Sequence, residues 1–268
     1  MSEPATTLRA LRTFLVDLDG VVYAGNIPLP GAAAFFRFLG QTGRRFQCIT
    51  NNSTLTAAQY VEKLAGMGIP VAESQVLTSS QAAAVHLRER LAPGARVMAI
   101  GEDGVVRALL GAGFRLVERS PEVVVCGLDR RLSYERLARA CLAIRAGAPL
   151  IATNPDLALP TEHGFLPGNG AVLAYLQAAT GATPLVIGKP EATMLHVAMD
   201  LAGATPAETA IVGDGLLTDV LAGHRAGVTT ILVLTGVATR ADLPSAPARP
   251  DLVFEGLPQL QEALAREG

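Results

Sequence analysis

The sequence predicts an α/β protein: a parallel-sheet core with a second, inserted α/β domain. Short apolar runs bounded by Gly, Asn or Asp alternate with helical patterns along the chain, the order that builds a parallel sheet with right-handed crossovers. Two hinge-like stretches, AESQVLTSSQ (72–81) and GATP (181–184), enclose a segment with its own strand–helix alternation. The expected division is therefore 1–80 with 182–268 as the core, and 81–181 as the insertion. A chain of 268 residues is long enough to give both parts a hydrophobic core.

Each element has a local reason. FLVDL (14–18) reads as a buried strand. PGAAAFFRFLGQTG reads as a helix with Pro30 near its start and Gly43 beyond its end. RFQCIT is a second strand ending at Thr50. LTAAQYVEKLAGMG is a second helix with Thr56 as N-cap and Gly68 as stop. RVMAIG (96–101), EVVVCGLD (122–129) and PLIATNPD (149–156) are strand ends, with helices DGVVRALLGAG and SYERLARACLAIRAG between them. After PLVIGKP (184–190) follow a helix from about Glu191, the strand TAIVGD (209–214), a helix around 216–226 and the strand TTILVL (229–234). DLVF (251–254) and a C-terminal helix finish the pattern.

Bulk composition narrows the function. Hydrophobic residues make up 50%, which argues against disorder. The net charge of -2, from 22 basic and 24 acidic residues, shows no surplus for a nucleic acid polymer. Cys48, Cys126 and Cys141 are scattered, as reduced thiols of a cytoplasmic protein would be, with neither disulfide nor zinc spacing. MSEPATTLRALR has no apolar signal core, and no apolar run is long enough for a bilayer, so no membrane partner is expected.

The chemistry gathers at strand ends. Asp17 and Asp19 are two apart, so on extended chain they point the same way. Open parallel sheets bind ligands just beyond those ends, and Mg²⁺ would make two close carboxylates tolerable. Asp214 and Asp219 follow another apolar strand; Asp219 could also be a first-turn acid favoured by the helix dipole. ITNNS offers Thr50 and Asn51 at a turn suited to phosphate, although capping alone would explain it. Lys189 in IGKP can neutralise a phosphate oxygen and steady a carboxylate, or be a solvated loop lysine. Together the four strand ends fit phosphoryl transfer through an aspartyl-phosphate. His86, His196 and His224 lie in helical patterns without ligand spacing, and GNGAVL lacks the third glycine of a dinucleotide fingerprint. ITNNS and IATNPD are similar words ending two strands, a coincidence unless both face one cleft.

DLDGVVY, ITNNS, GKP and GDGLLTD, in that order, resemble the four motifs of haloacid dehalogenase-like (HAD) phosphatases. The insertion, with TNPD followed by Pro167, Gly168 and Gly170, resembles the large α/β cap of the NagD-like subclass IIA. The resemblance implies a Rossmann-like core and a cap that excludes bulk water and selects the leaving group. It implies that Asp17 attacks phosphorus and ligates Mg²⁺. Asp19 then protonates the leaving oxygen, later deprotonates water, and offers its carbonyl to Mg²⁺. Thr50 and Asn51 hold phosphoryl oxygens, Lys189 bridges phosphate and Asp17, and Asp214 with Asp219 complete the metal site. A metal and Lys189 are expected to keep Asp17 ionised. Asn154 and Asp156 match positions near the cap–core cleft, and His163, in the irregular TEHGF, is a further substrate-facing candidate. Gly215 and Leu217 stand where members often carry polar or charged residues, so local loop packing is expected to differ. The implied partner is a small phosphorylated metabolite, and a homodimer is expected by analogy. A phosphomutase or phosphotransferase would use the same core. A phospho-accepting signalling module is the rival outside enzymes, disfavoured by the insertion.

Overall fold

The computed structural model describes residues 8–161 and 164–267. It divides into two compact units. One runs to Thr50, resumes over Tyr60–Leu77 and continues from Lys189; the other comprises Asn51–Gln59 and Thr78–Gly188. The strands, in chain order, are β1 (Thr13–Asp17), β2 (Tyr23–Ala24), β3 (Ile27–Pro28), β4 (Arg45–Thr50) and β5 (Val76–Thr78). Next come β6 (Arg96–Ile100), β7 (Arg115–Leu116), β8 (Val123–Cys126), β9 (Leu150–Ala152), β10 (Ala158–Thr161) and β11 (Gly164–Pro167). The last are β12 (Leu185–Val186), β13 (Thr209–Gly213), β14 (Thr229–Val233) and β15 (Leu252–Phe254).

The first unit is built on a six-stranded sheet in the order β15-β14-β13-β1-β4-β5. β1 pairs in parallel with β13 on one side and with β4 on the other. A central strand covered on both faces reads as an unbroken apolar run, and Phe14, Leu15 and Val16 are fully buried. Each such side chain contributes roughly 1.5–3 kcal/mol by leaving water. The helix Ala32–Gln41 buries Ala32, Phe35, Phe36 and Leu39, one stripe at helical spacing. Phe35 meets Phe14 edge to face, 6.3 Å between ring centroids. From β1 the chain builds outward in both directions, which makes the β1 end a topological switch point where such sheets bind ligands.

The second unit carries a parallel five-stranded sheet, β12-β9-β8-β6-β7, and the antiparallel hairpin β10–β11. Its core packs Ile100, Val124 and Leu150 against Ala140 and Ile144 of the helix Tyr134–Arg145 and Leu173 and Leu176 of the helix Asn169–Thr180. β12 lies beyond GATP yet pairs with β9, so this sheet extends past the second expected hinge. Thr56 caps the helix Ala57–Gly66 as expected: its Oγ1 accepts from Gln59 N at 3.2 Å, and Gln59 Oε1 accepts from Thr56 N at 2.8 Å. The helix expected around 216–226 instead starts as a π-turn, Leu216–Val220, and becomes α-helical only over Leu221–Ala226. Among the described residues no helix is long and apolar enough to cross a membrane. Cys48, Cys126 and Cys141 are free thiols, the first two buried.

Candidate active site

Two strand ends of the first unit, those of β1 and β13, bring its charged residues together. Asp17 closes β1, Asp214 follows β13, and Asp219 lies in the π-turn just after it. One carboxylate oxygen from each of the three lies within 4.8 Å of the others, and all three residues are buried. Lys189, 2% exposed, donates from Nζ to Asp17 Oδ1 and to Asp219 Oδ1, each at 2.6 Å. The lysine expected to steady Asp17 therefore spans two carboxylates.

Close packing fixes the remaining oxygens. Gly215 N donates to Asp219 Oδ2 at 3.0 Å, and Thr218 Oγ1 donates to the same atom at 3.1 Å. A Cβ at Gly215 would fall 2.1 Å from Thr218 Oγ1, so a side chain there would push that hydroxyl away. This gives a physical reason for glycine at that position; Leu217 is exposed. Asp214 Oδ2 accepts from Val237 N at 2.7 Å. Cβ atoms built at Gly20 and Gly236 would come within 2.3 Å and 1.9 Å of Asp214 Oδ2. Gly20 also has φ +78°, a turn that L side chains rarely adopt. Gly236 and Val237 were not anticipated; the signal was LTG, immediately after another strand ending at the same sheet edge.

Three buried carboxylates face one ammonium. Burial raises the Asp17 carboxyl well above its ordinary range, Asp219 and Asp214 push the same way, and Lys189 opposes them. Burial, then Asp219, lift Asp214 to about 6. Burial alone would lower Lys189, but the charges of Asp17 and Asp219 outweigh it and hold it firmly protonated. Lys189 thus acts on Asp17 in the expected direction, favouring the ionised form, against burial and the two neighbouring aspartates. An all-oxygen donor set with this surplus of negative charge fits a hard divalent cation.

Asp19 lies two residues beyond Asp17 and is exposed. Its crowded surroundings still raise its carboxyl, opposed by Lys63 and by the Tyr23 hydroxyl. Thr50 ends β4, 3% exposed. Asn51 is the first residue of the second unit, where its Nδ2 donates to both carboxylate oxygens of Asp156 at 3.2 Å. Its carbonyl accepts from Ser79 Oγ at 2.6 Å and Asn154 Nδ2 at 2.7 Å. The similar words ITNNS and IATNPD are thus physically joined. Asn154 is 4% exposed and Asp156 is half-buried. His163 lies outside the described residues.

A parallel α/β core with an interior acidic cluster and its lysine at the strand ends belongs to the class of sites that can hold a hard cation at a sheet edge. Comparisons sharpen that class. The pattern described as haloacid dehalogenase-like hydrolase matches residues 14–115, and a second HAD-hydrolase-like pattern matches 186–260. The chain is 40% identical over 250 residues to the 5'-nucleotidase YutF of Bacillus subtilis (strain 168), covering 93% of this chain and 97% of that one. It is 39% identical over 259 residues to an acid sugar phosphatase of Staphylococcus aureus (strain MRSA252), covering 96% and 98%. The crystal structure of a 4-nitrophenylphosphatase from Thermotoga maritima superposes with a TM-score of 0.92 at 38% identity, covering 96% of this chain and 99% of that one. The chain belongs to the haloacid dehalogenase-like hydrolases, in their NagD-like branch.

Proposed function

We propose that this enzyme is a Mg²⁺-dependent phosphatase for small phosphomonoesters, working through an aspartyl-phosphate on Asp17. Its class, phosphoric monoester hydrolase, follows from the family and from the activities named for its relatives. Those names span a nucleotide, a sugar phosphate and a nitrophenyl ester, which share only the phosphomonoester group. The observation that carries the reading is Lys189 gripping Asp17 and Asp219 beside Asp214.

Asp17, Asp214 and Asp219, with the Asp19 carbonyl, would hold the cation, which would offset their charge and draw electron density from the phosphoryl oxygens. An Asp17 carboxylate oxygen forms a bond to phosphorus as the ester P–O bond breaks. Asp19 gives its proton to the departing oxygen. It then takes a proton from the water that attacks phosphorus, and the Asp17–phosphorus bond breaks to release phosphate. Thr50 and Asn51 hold phosphoryl oxygens, and Lys189 balances the charge of the nucleophile throughout.

Phosphate release from p-nitrophenyl phosphate tests this with Mg²⁺, with chelator, and for Asp17→Asn. Both perturbations should lower turnover by ~10³ or more, the scale of losing a nucleophile. Equal turnover in all three would sink the mechanism. Sugar phosphates, nucleoside monophosphates and phosphoglycolate, assayed side by side, then identify the preferred leaving group.

A further inference from the structure

In the proposed reaction Asp19 moves a proton twice, so the direction of its carboxyl matters, and the residue is exposed. Among the described residues, the Tyr23 hydroxyl is the only hydrogen-bond donor to its carboxylate, reaching Asp19 Oδ2 at 3.3 Å. Tyr23 itself is held by its surroundings. It is fully buried, and the loop behind it is closed by Gly20 N donating to Tyr23 O at 2.8 Å and Val22 N donating to Leu18 O at 2.9 Å. Above its ring stands the ammonium of Lys63, 3.7 Å from the centroid. Lys63 comes from the helix Ala57–Gly66, whose Tyr60 and Leu64 are fully buried and anchor that face of the helix. A cation on the ring face fixes the ring and draws electron density from it, which makes the hydroxyl a better donor.

We propose that Tyr23, held by Lys63, is a positioning residue that aims the Asp19 carboxyl at the leaving oxygen. The proposal rests on the acid–base reading of Asp19. With Oδ2 occupied by the Tyr23 hydroxyl, the transferable proton resides on Oδ1. When the ester P–O bond breaks, its electron pair stays on the departing oxygen, and the Oδ1 proton joins that oxygen to give the free alcohol. Tyr23 donates to Oδ2 before and after the transfer, so the aim is kept for the water step.

The distinguishing readout is leaving-group dependence. A p-nitrophenolate departs without help, whereas a simple alkoxide needs its proton. kcat/KM covers events only up to that departure, so the water step does not confuse it. In the full-length enzyme with Mg²⁺, Tyr23→Phe should lower kcat/KM for an alkyl phosphate that the wild type accepts roughly tenfold. For p-nitrophenyl phosphate the loss should stay under about twofold. Lys63→Met should act in the same direction, roughly threefold, and keeps the test decisive if the phenylalanine variant folds poorly. An equal fall on both esters, or no fall on either, overturns the proposal. Asp19→Asn should show the same selectivity, larger, and Tyr23→Phe added to it should cost nothing further on the alkyl ester. A further loss in that double variant would assign Tyr23 a merely structural role. Absence of selectivity in Asp19→Asn itself would instead defeat the acid–base reading on which the proposal rests.

Discussion

β1 and β9 both run from apolar sequence into polar residues, Asp17 in one unit and Thr153 with Asn154 in the other, and the two ends resolve their polarity differently. Immediately beyond β9, Thr153 and Asn154 are buried and neutral, and the side chain of Asn169 ties this strand end to its neighbour. Asn169 Nδ2 donates to Asn154 O at 2.7 Å and to Cys126 O at 3.2 Å, while Asn169 Oδ1 accepts from Cys126 Sγ at 3.3 Å. Beyond β1 the groups are charged, and carboxylates outnumber the ammonium among them. A satisfied amide network stabilises a fold; a buried charge surplus costs stability until a ligand relieves it. The same strand-end geometry therefore serves structure in one sheet and is suited to chemistry in the other.

Lys189→Met should break the contrast hardest. It leaves Asp17 and Asp219 without their shared ammonium, and urea unfolding of the metal-free protein should show a loss of about 3–5 kcal/mol. Asp214→Asn should act in the opposite direction. A carboxyl whose folded pKa is raised adds stability below its unfolded value of 3.8 and loses that contribution as pH rises through about 6. Above about pH 7 in chelator, the asparagine variant should be more stable than wild type by about 2–3 kcal/mol, and it should lose the rise in Tm expected of the parent on adding Mg²⁺.

Asn169→Ala probes the neutral network. It strands the buried Asn154 carbonyl and takes one of two hydrogen bonds from the Cys126 carbonyl, so about 2 kcal/mol of stability should go, with any Mg²⁺-dependent rise in Tm unchanged. A change in that rise would erase the distinction between the two strand ends. The smallest effect belongs to His86, 8% exposed in the helix Ser79–Arg88. Burial lowers its pKa, with Arg90 assisting and Glu89 opposing. The neutral ring is thus favoured in the folded state, and its contribution is lost as pH falls below about 6.5. His86→Leu should flatten that part of the stability profile by under about 1 kcal/mol.

Strand and helix order and the candidate residues Asp17, Lys189, Asp214 and Asp219 were legible because each depends on local pattern: an apolar run, then a polar residue at or near its end. RFQCIT ends at Thr50 as β4 does, and Thr56 caps as expected, since strand runs and capping boxes are short-range devices. The π-turn at Leu216–Val220 was not legible. It accompanies a long-range arrangement in which Asp219 Oδ1 meets Lys189, thirty residues away in sequence. Nor did the sequence show that Asn51 turns its amide to Asp156, 105 residues on.

The chain's own pattern determined which residue types occur at which strand ends, because side-chain period and capping are properties of neighbouring residues. Only the tertiary structure decided which of them meet. It placed Lys189 between two carboxylates, enclosed Asp214 between Gly20 and Gly236, and set Lys63 over Tyr23. Those pairings depend on distances between segments far apart in sequence, and the balance of burial against charge that sets the Asp17 pKa exists only once those segments have packed.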